Sequence, residues 1–410
     1  MKETPHLLFT PPKAFHPLRV AVVTETYPPE VNGVANTTHR MVEGLISRYH
    51  QVRLVRPRQH PEEQAANSAA FEETLVRGIA LPGYDGLRMG LPAGAELVRL
   101  WKAQRPHVVQ VVTEGPLGWS AMAAAKKLRL PVISDFHTNF HAYSAYYGMG
   151  LLEGAIEGYL RWLHNRAQCT LVPTDFLRHD LASSGFRNVQ VVSRGVDTEL
   201  FHPARWNKLL RQSWGVGDHT VVVLYAGRIA AEKNLPLLID AFRHMQATRP
   251  SMKLVMVGDG PERAKLQARH PDIVFAGMQT GVTLAEHYAS ADLFAFPSTT
   301  ETFGNVIIEA MASGLPVVAY DYAAAREYIR HGENGLRAAF ADPGAFISQA
   351  QHLHANAADM RRMGQNARLT AEKLDWNHIH DRFEKLIFSI VQQWERKRDA
   401  DTQFSFVPDL

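Results

Sequence analysis

Two carboxylates and two cations stand out as residues able to do chemistry. Glu301 and Glu309 belong to the stretch ETFGNVIIEAMASGLPVVAY, residues 301–320. Glu301 falls in a loop just after the strand-like run LFAFPS, where its carboxylate can accept from hydroxyl groups. Gly304 allows a backbone to approach a ligand closely. A helix starting near Asn305 offers unbonded N–H groups that suit a phosphate or a sugar oxygen. Glu309 lies roughly two turns along that helix in an apolar setting. A carboxylate there needs hydrogen-bond partners or suffers a heavy desolvation cost, and it can reach a second polyol such as a ribose. Arg228 and Lys233, in GRIAAEKN, supply a planar fork and a mobile ammonium for a phosphate-bearing ligand. Asp135 and His137 follow the apolar run PVIS, and a histidine there can donate or accept near neutral pH.

Other chemistries find no support. A single cysteine, Cys169, excludes a disulfide scaffold or a thiolate zinc cluster and reads as a small buried hydrophobe. His137 and His141 form an H-x-x-x-H without the accompanying Glu. The one Asp-x-Asp, Asp399 and Asp401, lies in a polar tail. No metal site and no cofactor is expected. Neither G-x-G-x-x-G nor G-x-x-x-x-G-K-[ST] follows a strand, which argues against dinucleotide or P-loop binding. A diphosphate bound here must then be neutralised by Arg, Lys and helix termini.

These residues recur at one kind of place. LRVAVVTETYPP, QVRLVRPR, PHVVQVVTEG, PVISDFHTNF, CTLVPTD and VQVVSRGVD each run from an apolar strand into polar residues, with helices between. The segment NGVANTTHRMVEGLISRYH reads as a loop Gly, an Asn cap and a helix. After a polar join at 194–206 the rhythm restarts with HTVVVLYAGRIAAEKN, MKLVMVGDGPE, DIVFAG, ADLFAFPS and LPVVAYD. The pattern predicts an α/β fold of two doubly wound, Rossmann-like domains, with one larger sheet as the structural rival. The expected layout is an N-terminal extension (1–17), a first domain (18–200), a second domain (201–375), a C-terminal helix (376–397) and a polar tail (398–410). Open sheets of this kind bind ligands beyond the carboxyl ends of their strands.

Composition is that of a soluble globular chain of 410 residues, 46% hydrophobic and 21% charged. The net charge of +3 divides as 22 Lys/Arg against 18 Asp/Glu over residues 1–205, and 22 against 23 over 206–410. That bias suits an anionic partner such as a membrane surface at the first half, and no basic stripe suggests nucleic acid. No signal peptide or transmembrane run is seen, so a cytoplasmic protein is expected, touching a membrane only from its surface.

The segment ETFGNVIIEAMASGLPVVA resembles the E-x7-E segment of retaining, nucleotide-sugar-dependent glycosyltransferases of family 4, with the GT-B architecture. GRIAAEKNLPLLIDAF, LVMVGDGPE and FPSTTETFGN are similar to its other C-terminal signatures, in order. ETYPPEVNGVANTTHRMVEGL resembles its N-terminal Gly-loop and SDFHTNF its histidine loop, and the likeness spans about residues 18–395. It implies two domains facing across a cleft, with a C-terminal helix crossing back to the first. It also implies residue roles. Arg228 and Lys233 grip the donor diphosphate, and Glu301 holds sugar hydroxyls beside the backbone of Phe303, Gly304 and Asn305. Glu309 binds the ribose, Gly33 brings the first domain's loop to the diphosphate, and His137 sits near the reacting sugar carbon. The family's double Gly appears here as Asn32-Gly33.

The closest likeness is to GDP-mannose-dependent α-mannosyltransferases and sulfoquinovosyl- or glycosyl-diacylglycerol synthases. The resemblance implies transfer of a hexose from GDP-mannose or a UDP-hexose to a hydroxyl of a lipid or lipid-linked glycan, without metal. The alternatives are a nucleotide-sugar epimerase or binding protein on the same fold, or a transferase acting on soluble sugars or polysaccharides. A lipid acceptor fits the stretch 140–167. Its Tyr143, Tyr146 and Tyr147, with Leu151, Leu152, Ile156, Leu160 and Leu163, are expected to form an apolar face beside Arg161 and Arg166, resting on the inner face of a membrane. The rival reading packs that helix on the first sheet.

Overall fold

The computed structural model describes residues 16–30, 32–80, 88–137, 153–217 and 219–404. His141, Tyr143, Tyr146, Tyr147, Leu151 and Leu152 lie outside the described residues.

The chain forms two separate parallel sheets rather than one. In the first, β1 (Arg19–Val23), β2 (Gln51–Pro57), β3 (Phe71–Val76), β6 (Val108–Val111), β7 (Val132–Asp135), β8 (Cys169–Val172) and β9 (Val189–Val191) lie in the order β3-β2-β1-β6-β7-β8-β9. A short antiparallel pair, β4 (Gly78–Ala80) with β5 (Arg88–Gly90), stands apart from it. The second sheet holds β10 (Val221–Ala226), β11 (Met252–Val257), β12 (Val274–Gly277), β13 (Leu293–Phe296), β14 (Val317–Tyr320) and β15 (Gly335–Ala338), ordered β12-β11-β10-β13-β14-β15. Central strands such as VVVLYA of β10 are buried along their whole length, because helices cover both faces. Each order reverses once, between β1 and β6 and between β10 and β13. At such a point the flanking connections leave in opposite directions and open a crevice at the strands' carboxyl ends.

The helix Gly33–Ser47 starts earlier than a loop Gly followed by an Asn cap would put it. Asn32 is the cap, its Oδ1 accepting from Val34 N and Ala35 N at 3.0 and 2.8 Å, and Gly33 is the first helical residue. At the other end of the chain the helix Trp376–Phe404 runs past the expected limit of 397 into the segment read as a tail. Helix growth adds one hydrogen bond per residue once nucleated, so the extension costs little.

That helix returns to the first domain. Ile379, Phe383, Ile387 and Val391 join the core formed by Leu18, Val20, Met41, Val42 and Leu45. Arg48 donates to Asp381 at 2.6 Å, and the buried His50 lies 3.0 Å from Glu384. The two passages of chain between the domains run side by side, with Val196 N donating to Leu374 O at 3.0 Å and the Trp376 indole against Gly195.

Candidate active site

The second sheet's reversal point gathers the cationic groups. After β10 the chain turns at Gly227 into Arg228, whose carbonyl accepts from Tyr225 Oη at 2.9 Å. A Cβ on Gly258, which has φ +132°, would overlap the carbonyl oxygen of Gly227, so only glycine lets the β11 turn pass so close to this loop. Arg228 is about one-third exposed and lies 3.7 Å from the buried Glu232. Thr300 Oγ1 donates to Glu232 O at 3.2 Å and ties this loop to the one after β13. Lys233 Nζ donates to Glu301 Oε1, which also accepts from Ser298 Oγ at 2.7 Å. Burial drives the Glu301 carboxyl up. Lys233, Ser298 and Arg194 together outweigh that and hold it below its ordinary value, so it is ionised at neutral pH.

The helix Asn305–Ala312 begins at Gly304, whose φ of +92° is the left-handed conformation that favours glycine, and no side chain caps it. Phe303 is buried, its ring against Tyr328, and its carbonyl already accepts from Ala324 N at 2.8 Å. That bond engages one of the carbonyl's two lone pairs. Further along, Glu309 finds the partner its apolar flank demands in Tyr288, whose Oη donates to Oε2 at 3.0 Å. Burial pushes its carboxyl up to about 7 in spite of that bond.

The first domain meets this loop directly. Thr302 Oγ1 donates to the His137 carbonyl at 2.7 Å. His137 follows β7, where Asp135 Oδ2 accepts from Gln110 Nε2 at 2.7 Å. An ideal Cβ on Gly33 would lie 3.6 Å from Asn305 Nδ2 and 3.7 Å from an Arg194 terminal nitrogen. The structure thus brings His137 and Gly33 from one domain against Thr302 and Asn305 from the other.

Arg194, a residue of the polar join 194–206 that is absent from the expected site, lies at the centre of that meeting. It is 5% exposed, and its guanidinium lies over the Phe303 ring. It donates to His137 Nδ1 at 3.0 Å and to Asn305 Oδ1 at 3.4 Å. Burial lowers its pKa to about 10 against the pull of Glu301 and Asp135, which leaves it cationic at neutral pH. Its position just beyond β9 was the available signal, since it obeys the same carboxyl-end rule as Arg228 and Glu301.

Two more acids flank the first sheet's reversal point. Glu25, after β1, accepts from Leu117 N at 3.1 Å and takes the space beside Gly115. Burial, with Glu114 nearby, pushes its carboxyl up to about 7 despite the Leu117 N–H. Glu114, after β6, lies 3.5 Å from His164 Nε2 on the helix Glu153–His164.

On that helix Leu160 and Leu163 are buried, so the leucines expected on an outward face pack inward. The outward surface carries Tyr159 and Trp162 instead, 38% and 41% exposed. The guanidinium of Arg166 sits 3.7 Å above the Trp162 ring, and Arg161, Arg166 and Arg187 line one groove with Trp162. Among the described residues no group of three or more His, Cys, Asp and Glu side chains could hold a metal ion, and no helix is long and apolar enough to cross a membrane.

Residues 31–200 match the family described as Glycosyltransferase Family 4, and residues 220–356 match that described as Glycosyl transferases group 1. A GDP-mannose-dependent alpha-mannosyltransferase of Corynebacterium glutamicum is 34% identical over 78% of this chain and 76% of its own length. An alpha-monoglucosyldiacylglycerol synthase of Streptococcus pneumoniae is 26% identical over 74% of this chain and 71% of its own. Among solved structures, sucrose-phosphate synthase from Thermosynechococcus elongatus superposes with a TM-score of 0.74 at 18% identity, covering 92% of this chain and all of that one. This last likeness gives the fold, two Rossmann-like domains facing across a cleft.

Proposed function

This chain belongs to glycosyltransferase family 4, and from that premise we propose that it transfers a hexose, with retention of configuration, from a nucleoside-diphosphate sugar to a lipid or lipid-linked hydroxyl. The observation that carries the reading is the convergence at the cleft. Arg228, the Lys233–Glu301 pair and an uncapped helix start lie on one side, with His137 and Gly33 on the other.

Arg228, Lys233 and the N–H groups beyond Gly304 take the donor diphosphate and meet the charge that grows on the leaving phosphate. Glu301 accepts from sugar hydroxyls, while its Oε1 stays held by Lys233 and Ser298. Glu309 accepts from the ribose. His137, beside the Thr302–Asn305 loop, sits against the sugar, and the acceptor enters from the first domain. Attack then comes from the face the phosphate leaves, and the departing phosphate takes the acceptor proton. These cations neutralise the diphosphate without a metal ion.

GDP-mannose is the preferred donor in this reading, supported by the name of the 34% identical relative. A lipid acceptor is supported by the synthase likeness and by the outward Tyr159, Trp162, Arg161, Arg166 and Arg187, an aromatic and basic surface suited to anionic headgroups. The enzyme would then work from the cytoplasmic face of the membrane.

The test incubates the protein with labelled GDP-mannose or UDP-glucose, a lipid extract, and EDTA in parallel samples. Labelled α-linked glycolipid, formed equally with EDTA, is the expected result. A β-linked product refutes retention, and loss with EDTA restored by Mg²⁺ refutes the metal-free mechanism. Donor isomerisation without transfer refutes the transferase.

A further inference from the structure

The contact between Arg194 and His137 carries chemical information beyond the pairing itself. A guanidinium has five N–H donors and no acceptor. A hydrogen bond from Arg194 to His137 Nδ1, 3.0 Å long, therefore requires a lone pair on Nδ1. The proton of the neutral ring must then be on Nε2. The surroundings of Nε2 agree. It lies 3.6 Å from Asp135 Oδ2, which favours a hydrogen on that side but is beyond hydrogen-bond length. Nε2 is buried and has no hydrogen-bond partner among the described residues. Both neighbours are themselves held: Asp135 by Gln110, and Arg194 by Asn305 and the Phe303 ring.

We propose that Arg194 is a positioning residue that locks His137 in the neutral Nε2–H tautomer, making it a hydrogen-bond donor to the sugar and not a base. The inference rests on the placement of His137 beside the donor sugar argued above. A lone pair on Nε2 could take a proton from the acceptor hydroxyl; an Nε2–H cannot. The acceptor proton then has to go to the departing phosphate. Arg194 also donates to Asn305, at the helix start that faces the diphosphate, so the residue that sets the tautomer also touches the second domain.

The experiment is ¹⁵N NMR of the full chain labelled at histidine, with the His137 signals identified by their loss in His137→Gln. The same proteins are assayed with GDP-mannose for kcat and KM. In the unaltered protein, Nδ1 of His137 should resonate as an unprotonated nitrogen and Nε2 as a protonated one. Arg194→Gln, whose amide can donate or accept, should give a mixture of tautomers and lower kcat at least tenfold while changing the donor KM less than about threefold. Arg194→Lys, another donor without an acceptor, should keep the Nε2–H signature and recover most of kcat. Should Arg194→Gln fail to fold, the unaltered protein and Arg194→Lys still decide the matter. A protonated Nδ1 in the unaltered protein overturns the inference. So does an Arg194→Gln protein in which either the tautomer or kcat is unchanged. The site reading fails separately: a His137→Gln enzyme with normal kcat removes His137 from the reaction whatever its tautomer.

Discussion

Glu309 makes donor binding depend on pH in a way that can be worked out beforehand. Burial lifts its carboxyl to about 7, with the hydrogen bond from Tyr288 opposing. In the unliganded protein the group is therefore about half ionised at neutral pH. Ribose hydroxyls that donate to it select the carboxylate, so binding expels a proton and affinity rises as pH rises through 7. Between pH 6 and pH 8 the ionised fraction grows roughly tenfold, and the dissociation constant of GDP-mannose should fall by about the same factor, about 1.4 kcal/mol. The diphosphate of a sugar nucleotide has no group titrating in this interval. Calorimetric titration at pH 6, 7 and 8, in two buffers of different ionisation enthalpy, reads both the affinity and the released proton, about half a proton per donor at pH 7. Glu309→Gln should flatten both. Glu25, also pushed up to about 7 at the first sheet's reversal point, is the other acid that could give such a dependence. An affinity independent of pH in the unaltered protein, or a dependence that survives Glu309→Gln and vanishes in Glu25→Gln, would refute the assignment of Glu309 to the ribose.

Other expectations follow from named contacts. Lys233→Ala should lower kcat/KM at least tenfold. It should also cost about 1–3 kcal/mol in chemical denaturation, because it strands a largely buried Glu301. Unchanged turnover in a folded variant would remove Lys233 from the site. Gly33→Ala should leave Tm unaltered, since its Cβ meets Asn305 and Arg194 at 3.6 and 3.7 Å, yet raise the donor KM by narrowing the cleft. Glu25 binds its proton more tightly folded than unfolded, so its contribution to stability is full below the unfolded value and is lost as pH rises toward 7. Glu25→Gln should therefore raise Tm more at pH 8 than at pH 5 relative to the unaltered protein, measured by thermal unfolding. Trp162→Ala combined with Arg166→Ala should weaken co-sedimentation with anionic vesicles, most visibly at low salt, and equal sedimentation would remove this surface from membrane contact.

The sequence by itself determined the two-domain α/β design, because buried parallel strands leave uninterrupted apolar runs and each run ends in a polar loop. It also singled out Arg228, Lys233, Glu301 and Gly304, which stand at or just beyond a strand's carboxyl end or at a helix start, and Glu309, a carboxylate in an apolar helical flank, all features readable from neighbours in the chain. Only the tertiary structure decided how these groups are paired. Lys233 and Glu301 are separated by 68 residues, and a local pattern holds no distance between two loops. Arg194 shows the limit most clearly. In the sequence RGVD it is one arginine among many in a polar join. It becomes a buried cation only because His137, 57 residues before it, and Asn305, 111 after it, come together where the two domains meet. The side of the helix Glu153–His164 that faces outward was likewise settled by packing. Leu160 and Leu163 had a core to enter, and the face left outside was that of Tyr159 and Trp162. Pairing, burial and the pKa values that follow from them depend on distances through space, which are fixed only when the reversal points of both sheets are brought face to face.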